Sequence, residues 1–281
     1  MTKEHNLRLI KLKAKRQVYT LLSGNSLSRR NGEGYDFSEL REYRIGDDIR
    51  KINWTITAKM GRPYIKEFHA NRELSIAVVA LLTPSLLFGF KGSKEERAKL
   101  DTITEISTLL GYASIYNSDL FTGIYCLDDQ THLTPPTKEL YAIDKFTNSI
   151  YNSELLGSRL EYDTITREVF SRVHRASLLF ILGDFLQEID LGLLAQRHEV
   201  VVIVVRHRDE DNPKKLGEVI LQEPSNKTQL NTFFGKRSIN RYIANIQKSD
   251  SNLKEHLSSH GIRYITIYTD ENIVSRLIEL F

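Results

Sequence analysis

The chain has 281 residues, of which 41% are hydrophobic and 27% charged, and a formal net charge of +3, the balance of an ordinary globular protein. Its apolar runs reach only about eight residues, too few for the roughly 20 of a membrane helix, and its charged N-terminus lacks the apolar core of a secretory signal. The single cysteine, Cys126, excludes an internal disulfide. We therefore expect a cytoplasmic protein without a membrane span.

The positive charge is concentrated at the N-terminal end. Residues 1–66 carry 15 Lys/Arg against 7 Asp/Glu, whereas the remainder is net acidic. A basic N-terminal region of this kind can bind nucleic acid, and the Ser28-Arg29-Arg30 loop would then take part in the binding. The alternative is a helix face that is exposed to solvent. Aromatic residues do not alternate with the basic ones as they do in single-strand binders, so nucleic acid is the less favoured partner.

The first elements along the chain are a helix and a strand. Apolar residues recur at helical spacing over residues 5–22, and Gly24 is well placed to end that helix. Residues 25–48 are rich in Gly, Ser, Asn and charge, which predicts loops around at most one short strand. Residues 62–70 alternate in polarity and predict a strand.

From residue 75 onward, apolar strands alternate with helical segments. The predicted strands are 75–82, 119–127, 177–183, 199–206 and 262–268. The predicted helices are 94–116, 138–156 with 163–173, 186–196, 237–258 and 270–280. This alternation predicts an α/β fold with a mostly parallel, doubly wound sheet covered on both faces.

The same change in pattern sets the expected domain organisation. Residues 1–70 form a basic N-terminal helix followed by a loop and β segment, and residues 71–281 form the α/β domain. Ligands of such sheets bind beyond the carboxyl ends of the strands. Thr83, Pro84 and Ser85 follow the first core strand and Asp184 follows a later one, so all four are expected on that rim.

Standard catalytic motifs are absent from the sequence. There is no phosphate-binding GxxxxGK[ST] loop, no complete GxGxxG, and neither HExxH nor CxxC among the eight scattered histidines and the one cysteine. Cys126 lies in an apolar strand, where a small core side chain is the ordinary interpretation. We expect no enzyme activity and no cofactor.

The segment from residue 32 to 68, GEGYDFSELREYRIGDDIRKINWTITAKMGRPYIKEF, is the most distinctive part of the chain. Asp47 and Asp48 are adjacent carboxylates that could bind a metal or act as acid and base. Because Arg41, Arg44 and Arg50 flank them, a structural ion-pair cluster is the favoured interpretation. Trp54, the only tryptophan, lies among polar residues, and we expect its ring to pack while its N–H points outward.

The order of residues in this segment closely resembles one bacterial family. Gly-x-Gly-x-x-Phe, Leu-Arg-x-Tyr, Gly-Asp-Asp-x-Arg-x-Ile-x-Trp, Thr-Ala-Lys and Lys-x-Phe follow one another as in the domain of unknown function numbered fifty-eight. That family is a von Willebrand factor A-like group found alongside MoxR-type AAA+ ATPases. The later blocks LLTPSLLFG, ILGDF and RHEVVVIVVRHRDE keep the family's order, so the resemblance covers most of the chain.

The resemblance implies a cation site at the rim, and this sequence departs from it. The family's first strand usually ends in Asp-x-Ser-x-Ser, which holds a divalent cation together with a later Asp. With Phe88-Gly89 fixing the register, these positions fall on Leu81, Thr83, Ser85 and Asp184. Leucine cannot coordinate a metal, so we expect a degenerate site with room only for weak magnesium binding. His207 and Arg208, where the family often has Asp-Pro, are a second departure.

The resemblance also implies a function and a partner. It predicts a non-enzymatic interaction module that works with a MoxR-type AAA+ ATPase on an unidentified client protein, in protein assembly or maturation. The candidate partner-binding residues are Arg41, Tyr43, Asp47, Asp48, Arg50 and Trp54. Their alternative role is an internally paired loop that braces the fold. The other functional hypotheses are nucleic-acid binding by the basic end and a metal-dependent enzyme using Asp47, Asp48 and Asp184.

Overall fold

The structure is a computed structural model, and it describes residues 3–29, 37–68, 73–88, 97–222 and 228–280. Within these residues the helices are α1 (Lys3–Arg29), α2 (Trp54–Met60), α3 (Ala98–Tyr116), α4 (Leu140–Asn152), α5 (Tyr162–Arg172), α6 (Gly192–Ala195), α7 (Arg208–Asp211), α8 (Lys236–Ser259) and α9 (Ile273–Ile278). The strands are β1 (Phe37–Glu42), β2 (Tyr64–Phe68), β3 (Ser75–Leu81), β4 (Leu120–Leu127), β5 (Gln130–Thr137), β6 (Leu178–Gly183), β7 (Glu199–Arg206), β8 (Gly217–Gln222), β9 (Gln229–Phe234) and β10 (Arg263–Tyr268). Short 3₁₀ turns occupy Ile49–Lys51 and Pro84–Leu87.

The central sheet has the strand order β10-β7-β6-β3-β4-β5. Neighbouring strands are parallel from β10 to β4, and β5 pairs antiparallel with β4 at the edge. The first core strand, β3, therefore lies in the middle, and the chain moves outward from it in both directions. This arrangement confirms the predicted mostly parallel α/β sheet, and the five predicted strands from residue 75 onward all form.

Helices cover both faces of this sheet. On one face, alternate residues of the strands, such as Val79 in β3 and Val202 in β7, join a buried cluster with Ile165 of α5 and Leu257 of α8. On the other face, α3 packs against β3 and β4 and against α4. Burial on both faces explains why the strands are continuous apolar runs rather than alternating ones.

The N-terminal helix is longer than predicted. It continues to Arg29, so the prediction that Gly24 ends it is wrong, as is the prediction of a loop at Ser28 and Arg29. An interior glycine costs a helix only about 1 kcal/mol, too little to end it. Arg30, the third residue of that expected loop, lies outside the described residues.

The early part of α1 packs on the sheet domain. Leu7 and Ile10 form a buried cluster with Tyr151 of α4. Lys11 pairs with Asp144 at 3.1 Å, and Lys13 pairs with Glu105 at 2.6 Å. Part of the basic N-terminal charge is thus neutralised within the chain.

Two hairpins were not predicted. A two-residue turn at Asp128 and Asp129, with φ of +50° and +56°, joins β4 to β5, the positive φ values of a type I′ turn. A second hairpin pairs β8 with β9. The edge strand β5 contains Pro135 and Pro136, and its register with β4 shifts there, as an edge strand allows.

The predicted helix over 186–196 is also wrong, since only Gly192–Ala195 is helical. The Asp190 carboxylate accepts the Gly192 N–H at 2.8 Å, which starts the helix late. The remaining predicted helices are present, with ends that differ by a few residues.

The chain divides into two compact units. The sheet unit comprises Met1–Tyr19 and Leu74–Phe281, and the small unit comprises Thr20–Glu73. The sequence-based division at residue 70 keeps the whole N-terminal helix apart from the sheet, whereas contacts group its first part with the sheet. Among the described residues, no helix is both long and apolar enough to cross a membrane.

Candidate functional site: the sheet rim and the Gly-Asp-Asp segment

The rim lies where β3, β6 and β7 end. Because these strands are parallel neighbours, the residues that follow them are brought to one edge of the sheet. Thr83 has φ −104° and ψ 153°, the extended conformation that a following proline favours, and Pro84 opens the 3₁₀ turn. Phe185 follows Asp184 with φ +48° and buries its ring in the core cluster.

Three of the predicted rim residues come together. The Thr83 and Ser85 hydroxyl oxygens lie 2.9 Å apart, and Thr83 Oγ1 donates a long hydrogen bond of 3.4 Å to Asp184 Oδ1. Asp184 is only 1% exposed. The register that placed these residues on one site is therefore supported by their contacts, although Gly89, which helped to set it, lies outside the described residues.

A buried lysine, which sequence reasoning missed, completes the rim. Lys99 Nζ lies 3.0 Å from Asp184 Oδ2 and 2.6 Å from Glu210 Oε1, and the lysine side chain is 0% exposed. A signal was present in the sequence, since Lys99 continues the apolar stripe of Ile103, Ile106 and Leu110 at helical spacing. A charged residue on an apolar helix face must find a buried partner.

Leu81 lies at the end of β3, and its side chain packs in the core. It is 1% exposed and belongs to the same buried cluster as Tyr162 and Phe185. It offers no oxygen to the rim.

The rim residues Thr83, Ser85 and Asp184 are not arranged to bind a divalent cation. Magnesium requires near-octahedral oxygen ligands at about 2.0–2.1 Å. Asp184 already binds an ammonium through one oxygen and a hydroxyl through the other. Among the described residues, no group of three or more His, Cys, Asp or Glu side chains is arranged to hold a metal ion.

A groove of about 790 Å³ opens beside the rim. Its walls include Thr83, Ser85 and Asp184 together with the segment from Ser158 to Asp163. The β4–β5 turn fixes that segment, since the Asp128 carboxylate accepts the Arg159 N–H at 3.2 Å.

Tyr162 is the groove residue with the most strongly perturbed ionisation. Burial, and to a lesser extent the negative charge of Asp184, raises the pKa of the Tyr162 hydroxyl above its ordinary value. The phenol is therefore neutral at physiological pH.

In the small unit, an ion pair holds the Gly-Asp-Asp loop. Arg41 donates two hydrogen bonds to the Asp47 carboxylate, at 2.7 and 2.8 Å, and the Arg44 N–H donates a third at 2.8 Å. Arg41 comes from β1, which pairs antiparallel with β2. These contacts confirm the predicted pairing of an aspartate with a flanking arginine.

The same contacts predict how this loop responds to acid. The side-chain hydrogen bonds from Arg41, followed by the Arg44 N–H, lower the pKa of Asp47 from 3.8 to about 2. A depressed folded-state pKa contributes stability that is present above pH 3.8 and is lost as the pH falls towards 2. We expect hydrogen-exchange protection of the Arg44 amide, measured by NMR relative to the core amide of Val79, to fall across this window.

The control for that measurement is Asp47→Asn, which keeps an acceptor oxygen but removes the charge. It should show weaker Arg44 protection than the native chain at neutral pH and little change down to pH 2. A native Arg44 amide whose relative protection is constant from neutral pH to pH 2 would contradict the assigned pairing.

The other candidates in this segment are placed by local hydrogen bonds. Asp48 caps the turn Ile49–Lys51 by accepting the Arg50 N–H at 3.0 Å. The Tyr43 N–H donates to the Pro63 carbonyl at 2.8 Å, and its side chain is half-buried. Asp48 and Arg50 are exposed, so their side chains can reach a partner.

Trp54 does not pack as predicted. It is the first residue of α2, whose cap is Asn53, and it is 67% exposed. No residue of α2 is buried. Ile45, Ile49 and Met60 are exposed on the same segment.

The third hypothesis, an enzyme using Asp47, Asp48 and Asp184, takes its residues from both compact units. Asp47 and Asp48 belong to the small unit and Asp184 to the sheet unit. Arg41 pairs with Asp47 and Lys99 pairs with Asp184, each within its own unit.

Comparison with known proteins identifies the family. A family model described as "Protein of unknown function DUF58" matches residues 39–252, which is most of the chain. The match includes both the loop at Gly46, Asp47 and Asp48 and the rim. The chain belongs to the DUF58 family. Its mostly parallel α/β sheet with an antiparallel edge strand agrees with the fold class that the sequence resemblance implied.

Bacterial relatives match a similar share of the chain. The DUF58 chain is 27% identical over 229 residues to the uncharacterised proteins Rv1480 of Mycobacterium tuberculosis and Mb1516 of Mycobacterium bovis. Each alignment covers 77% of this chain and 69% of the relative.

Solved structures match the sheet at low similarity. BatB, a conserved hypothetical protein from Bacteroides thetaiotaomicron, aligns at 11% identity and a TM-score of 0.39, covering 74% of this chain and 95% of its own. The SpRpn10 VWA domain aligns at 10% identity with the same coverage and TM-score. At these TM-scores neither structure supports an argument about function.

Proposed function

We propose that this DUF58 protein is a non-enzymatic interaction module that works with a MoxR-type AAA+ ATPase in the assembly or maturation of a client protein. The class of partner in this proposal is the one that the sequence resemblance implies. The observation that carries the proposal is the surface of the small unit, where Ile45, Ile49, Trp54 and Met60 are exposed. Exposed apolar side chains grouped in one segment are typical of interaction sites.

The Gly-Asp-Asp loop provides a rigid frame for this surface. The bidentate Arg41–Asp47 pair and the cap by Asp48 hold the loop through its own hydrogen bonds. A preordered loop loses less conformational entropy on binding than a mobile one. The two roles predicted for the segment, internal bracing and partner binding, are thus compatible, since Arg41 and Asp47 brace while Trp54 and Arg50 remain accessible.

The rim takes part in this proposal as a degenerate metal site. Leu81 contributes no ligand and Asp184 is bound to Lys99, so partner binding here depends on shape and charge rather than on a bridging metal. An ATP-driven partner also requires access to ATP, and the proposal therefore includes a cytoplasmic location.

Affinity purification of the tagged protein from its native organism, with and without ATP, tests the partnership. We expect an AAA+ ATPase to co-purify, with a recovery that depends on the nucleotide because such ATPases change conformation as they bind and hydrolyse ATP. In the absence of nucleotide, adding a metal chelator should leave the recovery unchanged, because the proposed contact uses no bridging metal. Failure to recover an AAA+ ATPase under either nucleotide condition would contradict the proposal.

A further inference from the structure

At the rim, the buried ammonium of Lys99 is held between two carboxylates. Lys99 extends from the first turn of α3, and its ammonium contacts Asp184, which follows β6, and Glu210, in the helix that follows β7. All three side chains are almost fully buried. Three separate segments of the chain are therefore joined by a single positive charge.

The second oxygens of both carboxylates are also bound. Asp184 Oδ1 accepts from Thr83, and Glu210 Oε2 accepts the His207 N–H at 2.8 Å. The Phe88 ring centroid lies 5.8 Å from Lys99 Nζ and flanks the ammonium. These contacts orient both carboxylates towards the lysine, so the arrangement is a built site rather than a chance pairing.

The charges and hydrogen-bonding groups around Lys99 Nζ suit an ammonium ion. An ammonium has only hydrogen-bond donors, and it meets only acceptors here, namely Asp184 Oδ2 and Glu210 Oε1. A divalent ion bound to the same carboxylates would lie beside a buried positive charge, which is strongly unfavourable in a site of low dielectric constant.

We propose that Lys99 is a tethered cation that replaces a divalent metal at this rim. Its ammonium supplies the positive charge that orders Thr83, Asp184 and Glu210, and the protein itself thereby offsets one of the two carboxylate charges of the site. This inference deepens, and rests on, the proposed degenerate site, and it does not depend on which protein binds.

Lys99→Met provides the direct test, because methionine keeps most of the length and volume of the lysine but not the charge. Removing one partner of a buried ion pair is strongly destabilising, and we expect the melting temperature to fall by about 10 °C. Millimolar magnesium chloride should recover part of that loss, since the carboxylates of Asp184 and Glu210 then lack a cation. The same salt should leave the native chain unchanged relative to a chelator-treated sample.

A neutral triple variant, Lys99→Met with Asp184→Asn and Glu210→Gln, is the matched control. It removes all three charges at similar volume, so it should be more stable than Lys99→Met alone and should not respond to magnesium. If Lys99→Met does not fold, recovery of folding in the triple variant supports the inference. A triple variant that is as unstable as Lys99→Met would show that lysine packing, not charge, was lost, and would overturn it.

Two further results would overturn the inference. One is a magnesium-dependent rise in the melting temperature of the native chain that disappears in Asp184→Ala. The other is a folded Lys99→Met variant whose melting temperature magnesium does not change. Because these outcomes are read from stability alone, they are distinguishable from a failure to recover an AAA+ ATPase.

Discussion

Replacing Asp184 by alanine is expected to lower the free energy of unfolding by about 3 kcal/mol. The substitution removes one of the two carboxylates bound to the buried Lys99 ammonium, and it removes the Asp184 oxygen that accepts from the Thr83 hydroxyl, which keeps its contact with Ser85. Glu210 remains at 2.6 Å from the ammonium. The expected loss of unfolding free energy is therefore at the lower end of the range for broken buried ion pairs. Urea denaturation at neutral pH measures the change.

Glu188→Ala is the matched control for this measurement. Glu188 lines the same groove but is exposed, and its side chain accepts only a long hydrogen bond of 3.3 Å from Asn252. Its removal should change stability by no more than about 0.5 kcal/mol. Equal effects of the two substitutions would show that the Asp184–Lys99 contact contributes nothing specific.

The core strands could be predicted because both faces of the sheet are buried. Continuous apolar runs such as 199–206 have no other stable place in a protein of this size, and they became β3, β4, β6, β7 and β10. The edge strand β5 could not be found in this way. It carries Pro135 and Pro136, which lack the N–H that a central strand must donate, and only its place at the edge allows them.

The residues of the rim were predicted in part, because the order of parallel strands determines which residues meet at the edge of the sheet. Residues that follow parallel strands must meet at one edge, so Thr83, Ser85 and Asp184 could be grouped from sequence order alone. Lys99 could not be grouped with them by that rule, because it comes from a helix. Its partnership depends on how α3 packs against β3 and β7, which is a tertiary contact.

The small unit shows the limit of local patterns more clearly. Arg41 and Asp47 are close in sequence and opposite in charge, so their pairing was predictable. The exposure of Trp54 was not. A large aromatic side chain is ordinarily buried to some extent, whereas Trp54 is 67% exposed on a helix that has no buried residue. The departure from the ordinary pattern is what marks the residue as a binding candidate.

Trp54→Ala is therefore expected to weaken binding of the proposed AAA+ partner by about 2 kcal/mol, or roughly 30-fold in Kd. Exposed tryptophans that become buried in an interface often account for a large share of the binding energy. The free protein should keep its stability to within about 0.5 kcal/mol, because the side chain is 67% exposed before binding. Titration with the purified ATPase, identified by co-purification, measures the Kd, and urea denaturation of the same preparations measures the stability.

Tyr141→Ala separates a specific contact from a general loss of exposed aromatic surface. Tyr141 lies on α4 of the sheet unit and is 76% exposed, so its substitution removes a comparable ring from a different surface. It should leave the Kd within about twofold of the native value. Equal weakening by both substitutions, or no weakening by Trp54→Ala, would exclude α2 from the interface. Loss confined to Trp54→Ala would place the partner on the Gly-Asp-Asp segment, and the rim with its tethered lysine would then serve a second contact or the stability of the fold.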